Sequence, residues 1–159
     1  MKYLTLDWLE KHKASEEEIN RFEKRFGTKA TIKEVVDVLH EINKPHWEAF
    51  LLAQSLPLTI AMIEAGADIH ANNDVALCLA AELDHLGLVE YLVENGIDIH
   101  ANHDFALRSV AARGHLKLAK YLVEHGADIH ANDDLALFFA KYNKHTRTAE
   151  FLEKVAKAA

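Results

Sequence analysis

Eleven histidines in 159 residues are the side chains here best suited to chemistry. Imidazoles bind metals and exchange protons near neutral pH. Six of them fall in two series at thirty-residue spacing: His70, His100 and His130, then His85, His115 and His145. The functional reading is a metal or proton array. The structural reading is that each ring fixes its own turn by a side-chain-to-backbone hydrogen bond. Zinc needs its nitrogens within about 2.1 Å of one ion, whereas packed helices stand about 8–10 Å apart. Histidines on successive units of such a stack cannot share an ion, so the structural reading is preferred. His100 and His103 form a lone HxxH in a loop, which is a weak signal. The chain holds no HExxH, no glycine-rich phosphate loop and no GxSxG elbow. Cys78, the only cysteine, is read as a small packed or surface residue rather than an activated thiol. Asp74, Asp104 and Asp134 could form an acidic stripe, but each precedes an apolar run and reads as a helix N-cap. No catalytic residue, cofactor or metal ligand is assigned.

The elements that position these residues recur. Residues 66–95, 96–125 and 126–155 are copies of one thirty-residue unit, and the first two agree at 17 of 30 positions. Such a period means stacked supersecondary units. After each aspartate, Ala76, Leu77, Ala80 and Ala81, with their counterparts thirty and sixty residues on, make one apolar helical stripe. A polar break follows at Asp84-His85, Gly114-His115 and Lys144-His145. Leu88, Val89, Leu92 and Val93 then mark a second helix. Gly96 and Gly126 stand where a left-handed C-cap needs glycine. The unit is therefore helix, tight turn, helix, loop. Neither helix can bury its stripe alone, and stacking does so.

Counting back thirty gives a degenerate first unit at 44–65, with Pro45 at a helix start, Trp47 as an anchor, and Leu58, Ile60, Met62 and Ile63 in its second helix. The last unit, 126–159, carries Lys141, Arg147, Lys154 and Lys157, the polar face of a terminal cap. Residues 1–43 read as a separate helical module. Ser15 to Glu18 and Thr31 to Glu34 fit capping boxes, which predicts helices near 16–26 and 32–42, with a shorter one near 6–13. Leu6, Trp8, Leu9, Ile19, Phe22 and Phe26 are its packing residues. The fold class is all-α: a helical solenoid of about four units over 44–159, preceded by this module.

Composition narrows the setting. No apolar run is long enough to span a membrane, and the opening residues lack a cationic segment followed by an apolar one. A single cysteine permits no intrachain disulfide. These features lead to the expectation of a soluble, cytoplasmic protein. The formal charge of -7 argues against a nucleic-acid partner and is compatible with a basic protein.

The repeat resembles the ankyrin repeat. GADIHAN is similar to that family's GADVNA loop. Ala76-Leu77 and Ala80-Ala81 match its TPLHxAA helix start, and His115-Leu116 with Lys120-Tyr121-Leu122-Val123 match GHLEVVKLLL. The thirty-residue DIHANND form is similar to repeats of large DNA viruses, phages and some bacteria. Two departures stand out. The unit is shorter than the usual 33 residues or so, and Thr-Pro is replaced by Val75-Ala76, Phe105-Ala106 and Leu135-Ala136. The resemblance therefore implies shortened or missing hairpin fingers.

It also implies a non-catalytic protein-binding module whose concave face lies at positions where the units differ. These positions supply Asn73, His103, Asp133, Phe105, Leu135, Arg108, Phe138, Glu82, Tyr142, Arg113 and Asn143 as candidate partner contacts, free of structural duty. Aromatic residues and arginine are favoured at interface hot spots. Neutral drift on a solvated face is the plainer alternative. The most concrete function is a small inhibitor that blocks a partner, as in toxin immunity or phage or viral counter-defence. An adaptor using residues 1–43 for a second protein and a metal-dependent enzyme using the repeat histidines are the other two classes.

Overall fold

A computed structural model describes residues 3–11, 16–41, 51 and 56–158. The anticipated roles of Ser15, Pro45 and Trp47, and the side chain of Leu6, lie outside the described residues. Two compact units emerge, Met1–Asp68 and Ile69–Ala159. The repeat boundary expected at residue 44 falls inside the first.

The first unit contains a feature that sequence patterning did not anticipate. Strand β1 (Tyr3–Thr5) pairs antiparallel with β2 (Lys29–Thr31), with Leu4 opposite Ala30. Three-residue strands are too short to show an alternating pattern. Around the ribbon lie α1 (Leu6–Lys11), α2 (Glu16–Phe26) and α3 (Ile32–Glu41), and α4 (Leu56–Glu64) packs on α3. Leu4, Leu9, Phe22, Ala30, Ile32, Val35 and Val36 are buried. Trp8 and Ile19 are only half-buried, and Phe26 leans on Phe22 with ring centroids 5.0 Å apart. The expected capping box at the start of α3 is reciprocal. The Thr31 amide and hydroxyl donate to Glu34 Oε2 at 2.8 Å, and the Glu34 amide donates to Thr31 Oγ1 at 3.2 Å. The bond from the Thr31 amide holds the Glu34 carboxyl below its ordinary pKa.

The second unit is three helix pairs: α5 (Ala71–Glu82) with α6 (Leu86–Glu94), α7 (Ala101–Arg113) with α8 (Leu116–Glu124), and α9 (Ala131–Tyr142) with α10 (Thr146–Ala156). The first helices pack in the order α5, α7, α9. Alanines at 76, 80, 81, 106, 111, 136 and 140 are almost fully buried, which lets these helices approach closely. Leu77, Leu88, Val89, Leu92, Leu107, Leu118 and Leu122 fill the space between the layers. The loops between pairs carry no strand pairing, in keeping with the shortened fingers.

Each second helix ends as the glycine spacing requires. The Ile97 amide donates to Leu92 O at 3.2 Å and the Gly96 amide to Val93 O at 3.0 Å, with Gly96 at φ 90°. Ala127 and Gly126 repeat the pattern on Leu122 and Val123. This double bond pattern satisfies carbonyls left open at the helix end. The first helices end in the same way, with Asp84, Gly114 and Lys144 in left-handed conformations.

The expected N-caps need correction. Asn72-Asn73-Asp74, Asn102-His103-Asp104 and Asn132-Asp133-Asp134 are each three successive left-handed residues, with φ between 52° and 62°. Right-handed helix resumes only after the aspartate. Left-handed residues with side chains cost roughly 1–2 kcal/mol each, less for Asn and Asp, whose side chains bond locally. The aspartate does not bond forward to a helix amide. Its carboxylate turns back to the histidine four residues earlier. Nδ1 donates to Oδ1 at 2.6 Å for His70–Asp74, 3.0 Å for His100–Asp104 and 2.6 Å for His130–Asp134.

The first histidine series therefore clamps its own turn, but through a side chain and not through the backbone. The second series departs further from expectation, because it reaches the preceding unit. His115 Nδ1 lies 3.6 Å from Asp84 Oδ2, and His145 Nε2 donates to Ala112 O at 3.0 Å. His85 is exposed.

Candidate functional site

The loops and first helices carry the differing positions singled out as candidate contacts. Between α7 and α9, with Glu82 contributed by α5, lies an open concavity of about 310 Å³. Its lining is Glu82, Phe105, Arg108, Ser109, Ala112, Arg113, Phe139, Tyr142 and Asn143. Six of the residues picked from sequence thus converge: Glu82, Phe105, Arg108, Arg113, Tyr142 and Asn143.

Polar contacts hold its floor across the stack. The Arg113 guanidinium donates to Ser109 Oγ at 3.1 Å and stands 3.6 Å from Glu82. Ser109 in turn donates to Glu82 Oε1 at 3.4 Å. The Ala112 carbonyl, near the open end of α7, accepts from Asn143 Nδ2 at 2.7 Å and from His145. A helix-end carbonyl that would otherwise need water is thereby tied to the next unit. Tyr142 is 74% exposed at the rim, so its ring is offered to solvent at the edge of a cross-braced surface.

Arg108 has a second duty that sequence reasoning did not assign. It lies over the Phe105 ring at 5.3 Å. It also donates to His103 O at 3.2 Å and Asn102 O at 2.8 Å. Those carbonyls belong to the left-handed turn, so Arg108 is part of the scaffold as well as the lining. The expectation that it stands free of structural duty is corrected accordingly.

The other candidates lie elsewhere. Asn73, His103 and Asp133 occupy the middle of the three left-handed turns and are exposed. Asn73 donates to Asn102 Oδ1 at 2.9 Å, which ties consecutive turns. Leu135 is half-buried outside the concavity. Phe138 is exposed, stacks on Tyr142 at 5.9 Å and meets Phe139 edge-on, yet it does not line the concavity. Ser109, Ala112 and Phe139 also line it; they fall in slots where the units differ but were not among the contacts chosen. Ser109 stands where the other copies have Leu79 and Phe139, a difference that was a usable signal.

Cys78 is buried between α5 and the turn ahead of α7. Burial is the main cause that pushes its thiol up to about 11; Glu82 adds to this, and Asn102 and Arg108 oppose it. A thiol so placed is a poor nucleophile at neutral pH. Among the described residues, no three His, Cys, Asp or Glu side chains converge as a metal site.

The described residues that recur build the stack, and several that vary line the concavity between its first helices. A family model for ankyrin repeats (3 copies) matches residues 46–133. The chain belongs to the ankyrin-repeat family. Ankyrin repeats form a protein–protein interaction module and are generally non-catalytic. The match ends inside the third left-handed turn, and the structure continues the third ankyrin unit through α10. A search of curated proteins gives no match. No helix among the described residues is long and apolar enough to cross a membrane.

Proposed function

We propose that this ankyrin stack is a small inhibitor that blocks a partner protein by seating part of it in the α7–α9 concavity. The supporting observation is the concavity itself. It is cross-braced across three units, lined by Phe105, Phe139, Tyr142 and Arg113, and open to solvent. Large rigid rings and an arginine held in place lose little entropy on binding, which is why such residues dominate interface energetics. The net charge of -7 would speed encounter with a basic partner. Toxin immunity and phage or viral counter-defence are settings that such a blocker fits.

The test is affinity capture from the native host. One stoichiometric partner is expected. Arg113→Ala with Tyr142→Ala should abolish capture, since truncating central aromatic or arginine contacts commonly costs about 2 kcal/mol or more each. Lys117→Ala with Lys120→Ala, on the second-helix side, should leave it intact. Two simultaneous partners would replace the inhibitor with an adaptor. Loss of capture only in the lysine pair would move the site to the other face.

A further inference from the structure

The outer face of α9 departs from the pattern of the two earlier first helices. In each unit, one set of first-helix positions faces the following unit, and burial reveals which. Cys78 is 3% exposed, yet its counterpart Phe138 is 54% exposed. Asp74 and Asp104 are 7% and 4% exposed, whereas the Asp134 side chain is 53% exposed. Asp104 Oδ1 accepts the Asp128 amide of the following loop at 2.8 Å, and Asp134 has only His130. Part of this end face is closed by charge. Lys141 replaces the buried Ala81 and Ala111 and pairs with Glu153 of α10 at 2.5 Å. The α9 side is not closed. Leu135, Phe138 and Tyr142, at i, i+3 and i+7, form one apolar stripe, and two of the three are strongly exposed.

The charges flanking this stripe are arranged head to tail. Asp133 precedes it and Lys144 follows it. Both are exposed, and neither forms an ion pair among the described residues. Turned over by a two-fold axis near Phe138, the helix presents Asp133 to Lys144 of the other copy, and Lys144 to its Asp133. Leu135 then faces Tyr142 and Phe138 lies at the centre. A surface that complements itself under a two-fold rotation is what a closed dimer requires.

We infer that the Leu135–Phe138–Tyr142 face of α9 binds a second copy of this chain, as an antiparallel two-fold dimer with Asp133–Lys144 pairs at its ends. Tyr142 belongs both to this face and to the partner concavity, whereas Phe138 lies outside the concavity lining, so Phe138 is the residue that tests the dimer apart from the inhibitor reading. A contact built on one helix face is small, and the dimer belongs to the weak class.

Sedimentation equilibrium of the full chain, from about 5 to about 300 µM, tests it. The expected result is a reversible monomer–dimer equilibrium with no larger species. Phe138→Glu should weaken association at least tenfold with an unchanged far-ultraviolet spectrum. Asp133→Lys or Lys144→Asp alone should weaken it several-fold. The two together, which restore complementarity with the signs exchanged, should recover most of the loss. Lys144→Asp suits the backbone, since Asp84 already occupies the equivalent left-handed position. A chain that stays monomeric throughout, an open-ended series of oligomers, or a dimer indifferent to Phe138→Glu would each overturn the proposal. Failure of the charge exchange to rescue association would overturn the antiparallel arrangement. Phe138→Glu should still capture the native partner, which separates this face from the concavity.

Discussion

The middle and last ankyrin units share their sequence pattern and differ in how far the same positions are covered. In the middle unit, Asp104 closes its own turn and holds the next loop, Arg108 fastens two turn carbonyls, and Ala111 vanishes between helices. In the last unit the same positions hold an exposed aspartate, Phe138 and Lys141. Thus a residue's role in this fold depends on the neighbouring unit as much as on its own helix. Stability should follow the same rule, and the comparison can be broken at graded strength.

The largest effect should come from removing residues 126–159. That strips the cover from the apolar side of the middle unit, which includes the fully buried Leu107 and Leu122. Nearest-neighbour interfaces carry much of the stability of a stack. The truncated chain should aggregate or unfold without a sharp denaturant transition. A monomer that melts as sharply as the full chain would mean the units do not depend on each other.

Next is the turn between paired helices. A Cβ on Gly114 would stand 2.5 Å from Nδ1 of His145, and its φ is 76°. Gly114→Ala should therefore cost about 2 kcal/mol, from left-handed strain together with displacement of the His145 ring. Lys144→Gly at the corresponding turn of the last unit should instead stabilise by about 0.5–1 kcal/mol, since Lys144 is exposed and its left-handed strain is relieved. Urea denaturation measures both.

The clamps come third. Asp104→Ala leaves both His100 and the Asp128 amide without their acceptor and should cost about 2 kcal/mol. Asp134→Ala loses one exposed bond and should cost under about 1 kcal/mol. His145→Ala loses the bond to Ala112 O and should cost about 1 kcal/mol, and a chelator should not move the melting curve. Equal costs at Asp104 and Asp134 would show that the neighbouring unit is irrelevant.

Arg108→Ala against Phe138→Ala gives a finer contrast. The first loses two bonds to the left-handed turn, for about 1 kcal/mol. The second alters a surface ring, for under about 0.5 kcal/mol.

The smallest effect lies in the first unit and depends on pH. Glu34 has a folded pKa below its unfolded value, because its ionised form accepts from Thr31. Its contribution is full above the unfolded value and fades as pH falls through the folded one. Glu34→Gln should flatten the acid limb of the stability curve slightly and leave the alkaline limb unchanged.

Much of the fold was legible because its determinants are local. Period, alanine stripes and glycine spacing mark the helices of the repeats, and the Thr31–Glu34 pair marks the start of α3. What was hidden depended on contacts between segments. Strands β1 and β2 are too short for a pattern, and Leu4 meets Ala30 only once the chain folds back. The left-handed turns were hidden for a different reason. Asn-Asn-Asp before an apolar run reads equally as a helix cap, and only the backbone shows the carboxylate turned toward the preceding histidine. Within the candidate site, Phe105, Arg113 and Tyr142 were visible as differences between copies. Ser109, Ala112 and Phe139 differ between copies too, but only the packing of one unit on the next shows that they complete the lining.

Hydrogen exchange, compared between the free chain and its complex with the captured native partner, tests the proposed binding face most directly. Slowed exchange is expected in peptides covering residues 103–113 and 133–143, with residues 116–124 and 146–156 unchanged. Protection confined to those second-helix peptides would contradict it.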